Sequence, residues 1–227
     1  MQGVHPGIIS SSTGLALHDE PGLSCERGYC AVTKPMRISP EYNVDDWNSL
    51  TFSTEDEWQK AIDIFEDRIR GRFLDMIGAI EAHEYAGFAV MALDCLLIET
   101  LQQFREGEKR TPNGKSEEYF VQFLADTSFK DFFTPEMAKM FYKQIRCGIL
   151  HQAETNENSR LLIRADVPLA ATREDGTGLT INRRLFHQQL VRVFEEYVSR
   201  LRRASDDQLR SNFRTKMNCI CRAVPTK

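Results

Sequence analysis

The sequence predicts a mainly α-helical bundle of four to five helices with a small β-hairpin insertion. Three observations lead to this fold class. Apolar residues recur at spacings of three and four from Trp58 to Ile80, the segment 84–106 is apolar on nearly every side, and residues 134–152 form a capped amphipathic stretch. With 227 residues, of which 41% are hydrophobic and 27% charged, the chain is long enough to bury one good-sized core. We therefore expect one helical domain over residues 51–205.

The N-terminal region lacks a helical pattern. Residues 1–50 contain three consecutive serines, scattered glycine and proline, and no sustained apolar periodicity, so we expect an irregular arm. Thr54 and Glu57 then have the spacing of a capping box, in which each side chain accepts a hydrogen bond from the backbone N–H of the other. The apolar stripe that follows indicates a long first helix.

The segment 84–106 predicts the most buried helix, and Gly107 provides a favourable end. Two carboxylates, Asp94 and Glu99, interrupt its apolar surface. Because a buried carboxylate needs a partner, we expect arginines of neighbouring helices, Arg146 included, to pair with them. A position at an exposed helix edge is the alternative.

The stretch 134–152 predicts a further helix. Thr134 can cap it, and Pro135 stands at the first helical position, where a missing N–H has no cost. The residues expected on its buried face are Met137, Phe141, Ile145 and Gly148. Arg146 and His151 lie off this face, separated by about 140° around the helix and about 7.5 Å along it. They meet most easily if the helix end loosens or a second protomer contributes, which favours a composite site.

Shorter elements complete the predicted bundle. Residues 119–124 indicate a short helix, and 161–165 with 179–181 look like two strands around a turn at Asp175-Gly176. Asn182 can cap the last helix. The core stripe of that helix contains Phe186, Leu190, Val193, Tyr197 and Leu201.

The net charge of −4 argues against a protein that coats nucleic acid. The charge is uneven, since residues 200–227 carry eight Lys and Arg against Asp206 and Asp207, which gives +6 and leaves −10 for residues 1–199. We therefore expect a basic C-terminal extension over 206–227. A solvated helix face is the favoured explanation, and a nucleic-acid or acidic partner is the alternative.

Six cysteines without a secretory leader predict reduced thiols and a cytoplasmic location. Cys25 with Cys30, and Cys219 with Cys221, could in principle supply zinc ligands, but neither pair has the spacing and neighbours of a zinc site. We expect no metal and no cofactor. The longest apolar run, Tyr85–Leu93, is shorter than the about 20 residues that span a bilayer, so no membrane segment is expected.

Arg146 and His151 enclose the sequence Arg-Cys-Gly-Ile-Leu-His, which closes a capped amphipathic helix and precedes an acidic loop. This arrangement resembles the HEPN superfamily, whose members are helical bundles with an Arg-x(4–6)-His motif near the end of a late helix. The segment Leu96–Glu99, Leu-Leu-Ile-Glu, is similar to the buried helix of such bundles. The resemblance covers about residues 54–204 and implies an HEPN-like helical domain.

Active members of this superfamily are metal-independent endoribonucleases, in which arginine and histidine from two protomers line one cleft. The resemblance therefore implies a homodimer, with Arg146 and His151 as catalytic residues and Asp94, Glu99 and Cys147 in support. A permanently charged guanidinium can hold a phosphate and its developing charge, and an imidazole can move protons at neutral pH. Catalytic members often have a polar residue where this chain has Cys147.

Two functions remain open. The first is an RNA-cleaving protein of the toxin or defence type, which cuts single-stranded RNA through attack of the 2′-hydroxyl and has an antitoxin or defence-system protein as a partner. The second is a non-catalytic HEPN module that dimerises and binds RNA, a nucleotide or a partner protein. In a purely structural role, Arg146 would pair with Asp94 or Glu99, and His151 would only end the helix.

Overall fold

A computed structural model of the protein describes residues 36–203 and 206–222. These residues form a set of helices around one apolar core, with a small three-stranded sheet. The prediction of a mainly helical fold with a minor β element is confirmed. The greater part of the predicted arm, including Cys25 and Cys30, lies outside the described residues.

The helices vary from five to twenty residues in length, and the strands are short. In chain order the helices are α1 (Val44–Asn48), α2 (Glu55–Ile69), α3 (Asp75–Ile80), α4 (Gly87–Glu106), α5 (Ser116–Asp126), α6 (Pro135–Met140), α7 (Cys147–Gln152), α8 (Arg183–Leu201) and α9 (Asp207–Arg222). The strands are β1 (Arg160–Leu162), β2 (Ala170–Thr172) and β3 (Leu179–Asn182).

Helix α1 lies inside the segment that the sequence predicts to be irregular. Asn43 caps it, since the Asn43 side chain accepts from the Asp46 N–H and the Asp46 carboxylate accepts from the Asn43 N–H. Trp47 is 1% exposed, and its indole Nε1 donates a 3.0 Å hydrogen bond to Asn218 Oδ1. The expectation of an irregular arm does not hold for residues 36–50, because this long-range tryptophan contact orders a segment too short to show helical periodicity.

Helix α2 begins directly after Thr54, the first residue of the predicted capping box, and its apolar stripe is buried. A π-helical segment, Arg70–Leu74, joins α2 to α3, so that the helical path extends to Ile80 as the apolar spacing predicts. The buried stripe is shorter than the predicted one, since Met76 is 53% and Ile80 37% exposed.

Helix α4 is the central helix, as the sequence predicts. It contacts α5, α7, α8 and α9, and Gly107 ends it with a left-handed φ of 73°. The side chains that are at most 2% exposed include Val90, Met91, Leu97, Ile98, Leu101 and Phe104. Phe88 and Leu96 are exceptions, with 38% and 44% exposure. Among the described helices, α4 is the one long and apolar enough to cross a membrane, and half of that stretch is buried within the protein.

The sheet differs from the predicted hairpin. Its strand order is β1–β3–β2, with β1 parallel and β2 antiparallel to β3. The predicted strands 161–165 and 179–181 correspond to β1 and β3, which therefore are not the two arms of a hairpin. The hairpin joins β2 and β3 around Asp175 and Gly176, whose φ is 72°. Strand β2 was missed because three small residues, two of them alanine, carry almost no strand signal.

Helix α8 begins at Asn182, whose side chain accepts a hydrogen bond from the Leu185 N–H, as predicted. The helix ends at Leu201, and α9 is a separate helix. The α9 residues that pack into the core are Leu209, Phe213, Met217 and Cys221. These residues are four apart. The cations between them make this spacing hard to recognise in the sequence. The segment from 207 to 222 is thus part of the helical domain and not an extension from it.

The cations of α9 are largely engaged within the protein. Arg210 donates hydrogen bonds of 2.7 and 2.5 Å to the two carboxylate oxygens of Glu55. The Arg214 guanidinium lies 4.2 Å from the centre of the Phe52 ring, and Lys216 is 7% exposed. The favoured explanation of a solvated basic face is therefore wrong for Arg210 and Lys216, which are buried, whereas Arg214 is exposed.

The capping box at the start of α2 predicts a pH-dependent contribution to stability. The Glu57 carboxylate accepts backbone N–H bonds from Thr51 and Ser53 and the Thr51 hydroxyl, which lowers its pKa from 4.5 to about 2. Because the folded pKa lies below the unfolded one, this stabilisation is complete above pH 4.5 and is lost as the pH falls towards about 2.

Glu57→Gln should therefore lower the urea midpoint of unfolding at pH 6 and reduce the dependence of that midpoint on pH between 4.5 and 2. The control is Glu84→Gln, which changes an exposed glutamate in the loop before α4. Equal pH dependence in the wild type and Glu57→Gln would contradict the assignment.

Candidate active site

One continuous helical stretch carries both residues of the Arg-x(4–6)-His motif. Thr134 caps it by accepting a 3.2 Å hydrogen bond from the Met137 N–H, and Pro135 occupies the first turn. The middle of the stretch, Phe141–Arg146, is π-helical, and α7 continues it to Gln152. Such wide turns are rare and are frequently found at functional sites.

Gly148 allows the chain that leaves α7 to return against the helix. A Cβ at this position would lie 2.9 Å from the backbone nitrogen of Asn156 and closer still to the carbonyl oxygen of Glu154. The Asn156 N–H instead donates a 2.6 Å hydrogen bond to the Gln144 carbonyl. Gly148 thus permits the close approach of another backbone, which is that of the acidic loop after α7.

Arg146 forms an ion pair with Glu99 across the contact between α4 and the motif helix. Its Nη2 donates to Glu99 Oε2 at 2.9 Å, and the two side chains are 15% and 19% exposed. The guanidinium also lies 5.3 Å from the centre of the Tyr142 ring. Burial opposes the charged form of Arg146, but the hydrogen bond to Glu99 prevails and raises the pKa of Arg146. One of the two predicted carboxylate partners is thus confirmed.

The second oxygen of Glu99 is held by the loop between α4 and α5. Thr111 Oγ1 donates to Glu99 Oε1 at 2.9 Å, and Ser116 Oγ donates to the same atom at 3.3 Å. The carboxylate therefore accepts bonds from two hydroxyls and one guanidinium. This arrangement fixes its rotamer, and with it the position of Arg146.

Asp94 does not pair with Arg146, and that part of the expectation was wrong. Its Oδ1 lies 2.8 Å from Nδ1 of His187 on α8, and the side chains are 0% and 6% exposed. Burial raises the pKa of Asp94, and the hydrogen bond with His187 only partly offsets that increase. Asp94 therefore connects α4 to α8 in the core and is separate from the Arg146–Glu99 pair.

His187 is the residue that sequence reasoning missed at Asp94. It stands three residues before Leu190 and seven before Phe194, which is the spacing of a buried helical face. That spacing was a usable signal, because a buried histidine needs a polar partner. The predicted core stripe of α8 contains apolar residues and one tyrosine, and it therefore omits His187.

The remaining predicted site residues are less engaged. Cys147 is half-buried, and no disulfide joins it to any other cysteine that the structure describes. His151 is exposed in the last turn of α7, next to Leu150, which is 45% exposed. Within the described residues of one protomer, no hydrogen bond joins His151 to Arg146 or to any other side chain. The structure thus brings Arg146 and Glu99 together and leaves His151 open to solvent.

These side chains supply a cation and a proton-transfer group on one helix. The guanidinium retains donors that Glu99 does not use, and an exposed imidazole can accept or donate a proton. Among the described residues there is no group of three or more His, Cys, Asp or Glu side chains placed to hold a metal ion.

The ion pair predicts a measurable structural role for Arg146. Arg146→Ala leaves Glu99 without its cation in a largely buried position, so the free energy of unfolding should fall by about 2 kcal/mol. Urea unfolding measures this change. Arg192→Ala removes an exposed arginine from α8 and should change stability by less than about 0.5 kcal/mol. If the two variants are equally stable, the Arg146–Glu99 pair contributes nothing to the fold.

Comparisons of the chain with protein-family models, with curated proteins and with solved structures found no match. The resemblance of the Arg146–His151 helix to the HEPN superfamily therefore rests on the motif and on the residues around it.

Proposed function

We propose that the protein is an HEPN-type endoribonuclease that cleaves single-stranded RNA without a metal ion. The observation that carries this proposal is that one helical stretch carries both an ion-paired arginine and a solvent-exposed histidine. Arg146 is held by Glu99, and His151 lies exposed five residues later. This combination suits an active site, because the charge-stabilising group is preorganised and the proton-transfer group is open to the substrate.

The proposed reaction breaks one P–O bond and forms another. His151 takes the proton of the ribose 2′-hydroxyl, the 2′-oxygen bonds to the adjacent phosphorus, and the 5′-oxygen leaves and takes a proton from water. The protonated His151 then returns its proton to the solvent. Arg146 stabilises the negative charge that develops on the non-bridging oxygens. The products are a 2′,3′-cyclic phosphate and a free 5′-hydroxyl.

A homodimer would complete this site. Leu150 next to His151, and Phe88 and Leu96 on the outer side of α4, are apolar side chains that are 38–45% exposed, and α4 and α7 are in contact. A two-fold axis through this surface would bury these residues and bring the two copies of His151 near the Arg146 side chains. An antitoxin or defence-system protein is a further expected partner for a cytoplasmic nuclease of this type.

A second candidate function is a non-catalytic HEPN module that binds RNA, a nucleotide or a protein. The observation in its favour is the number of bonds that Glu99 makes, since these bonds also suit a purely structural ion pair. In that case Arg146 stabilises the fold, and His151 only ends α7.

The catalytic proposal predicts that His151→Ala abolishes cleavage of single-stranded RNA while the protein stays folded. Loss of a general acid or base should lower the rate by about 10²–10⁴-fold. Cleavage by the wild type should continue in excess EDTA and leave 2′,3′-cyclic phosphate ends, which mass spectrometry of the products detects.

His83→Ala is the matched control, because it removes another exposed histidine, in the loop before α4. Full activity of His151→Ala, or loss of wild-type activity with EDTA, would sink the mechanism and favour the binding module.

The dimer proposal predicts that the double variant Leu96→Glu/Leu150→Glu is monomeric, because four carboxylates would be buried in the interface. Light scattering should give twice the chain mass of 26.1 kDa for the wild type and 26.1 kDa for the variant. Ile163→Glu, at an exposed apolar residue after β1, should remain dimeric. A wild-type particle of single-chain mass at micromolar concentration would overturn this proposal.

A further inference from the structure

A chain of hydrogen bonds connects Arg146 to α9. Arg146 Nη2 donates to Glu99, and Thr111 Oγ1 donates to the other Glu99 oxygen, each at 2.9 Å. Gln103 Nε2 donates to Thr111 Oγ1 at 2.8 Å. Lys216 Nζ then donates to Gln103 Oε1 at 2.5 Å. The candidate active site is therefore linked through α4 and its following loop to the last described helix.

The direction of each hydrogen bond in this chain is fixed because the residues at its two ends, Lys216 and Arg146, can only donate. An ammonium group only donates, so Lys216 requires Gln103 to present its oxygen, and the amide nitrogen of Gln103 then faces Thr111. The Thr111 hydroxyl accepts from that nitrogen and has its single proton left for Glu99. A guanidinium also only donates, and the carboxylate of Glu99 accepts from both sides. Reversal of the Gln103 amide would place two donors against each other.

Lys216 is an unusual residue to find in this position. It is 7% exposed, and its two acceptors, Gln103 Oε1 and the Lys109 carbonyl at 2.6 Å, are uncharged. Burial lowers the pKa of Lys216. A buried ammonium without a carboxylate contributes little to stability. Its bonds instead restrain both the Gln103 amide and the backbone of the loop that carries Thr111.

We infer that Lys216 is a positioning residue for Arg146, acting through Gln103 and Thr111 on the Glu99 carboxylate. The inference rests on the proposed function, since it assigns a further residue to that site. Lys216 does not touch the substrate, and its effect is to restrict where the guanidinium can lie. Helix α9 is on this basis a part of the catalytic unit.

Lys216→Met tests the inference, because methionine keeps the length and apolar character of the side chain and removes its donors. Cleavage of single-stranded RNA by the folded variant should show kcat lowered about tenfold and KM changed by less than about twofold, since the position of a charge-stabilising group is lost. Lys130→Met, at an exposed lysine before α6, is the matched control and should cleave as the wild type does.

Gln103→Glu separates positioning from stability. Glutamate still accepts from Lys216, now as an ion pair, so stability should not fall. It has no N–H to donate to Thr111, so kcat should fall as in Lys216→Met. Wild-type kcat in Gln103→Glu would overturn the inference and leave Lys216 with a structural role alone.

A second measurement does not depend on activity. Solvent exchange of the Arg146 Nε proton, followed by ¹⁵N NMR and assigned with Arg146→Lys, should be about tenfold faster in both variants, because the guanidinium is less restrained. If the wild type does not cleave RNA, the proposed nuclease function fails, and this exchange rate still decides the inference. Unchanged exchange in Lys216→Met would refute the coupling of α9 to Arg146.

Discussion

The apolar surface of α4 has to be covered on most of its sides, and this requirement organises the rest of the molecule. Each large side chain that α4 buries contributes about 1.5–3 kcal/mol. The surrounding helices provide matching aromatic residues. Phe104 of α4 lies 4.6 Å from Phe65 on α2 and 6.1 Å from Phe213 on α9, measured between ring centres. A helix that is apolar on so many sides cannot remain at the surface, and the other helices pack around it as a consequence.

The polar residues that α4 buries also need partners on the neighbouring helices. Asp94 pairs with His187 on α8, Glu99 with Arg146 beside α7, and Gln103 with Lys216 on α9. A hydrogen bond forms only when its donor and acceptor lie within about 3.2 Å of each other, so it restricts the axial position and the rotation of the helices that carry them. One polar contact with each of three neighbouring helices therefore fixes how each helix aligns with α4.

The helix boundaries that the sequence predicted correctly are those that a few adjacent residues determine. The capping box at Thr54, the cap at Asn182 and the end of α4 at Gly107 all follow from a few adjacent residues, and the structure has each of them. The central position of α4 followed equally from its composition. In the candidate site, the Arg146–Glu99 pair was predictable because a carboxylate on a buried helix needs a cation.

The remaining features depend on residues far apart in the chain. Helix α1 is ordered by the bond between Trp47 and Asn218, and the partner of Asp94 lies 93 residues away. The pairing of β1 with β3 cannot be inferred from either strand. In α9 the apolar spacing is present in the sequence, but the cations Arg210, Arg214 and Lys216 stand directly beside the apolar residues and mask it. For α1, for Asp94 and for the sheet, the missing information was a long-range partner and not a local propensity.

The π-helical segment Phe141–Arg146 lies between the two α-helical halves of the motif helix, α6 and α7. A π-turn holds about one residue more than an α-turn, so loss of one residue from this segment would be absorbed by a return to α-helical geometry, and the residues after it would keep their direction relative to α6. Phe141, which stacks on Phe186 with ring centres 5.0 Å apart, would keep its place in the core. Ile145 and Ile149, which are 0% and 8% exposed, would also stay in the core, and Arg146 would still face Glu99. The loss of one residue at this point should therefore disturb the core less than the same loss in a regular helix such as α4.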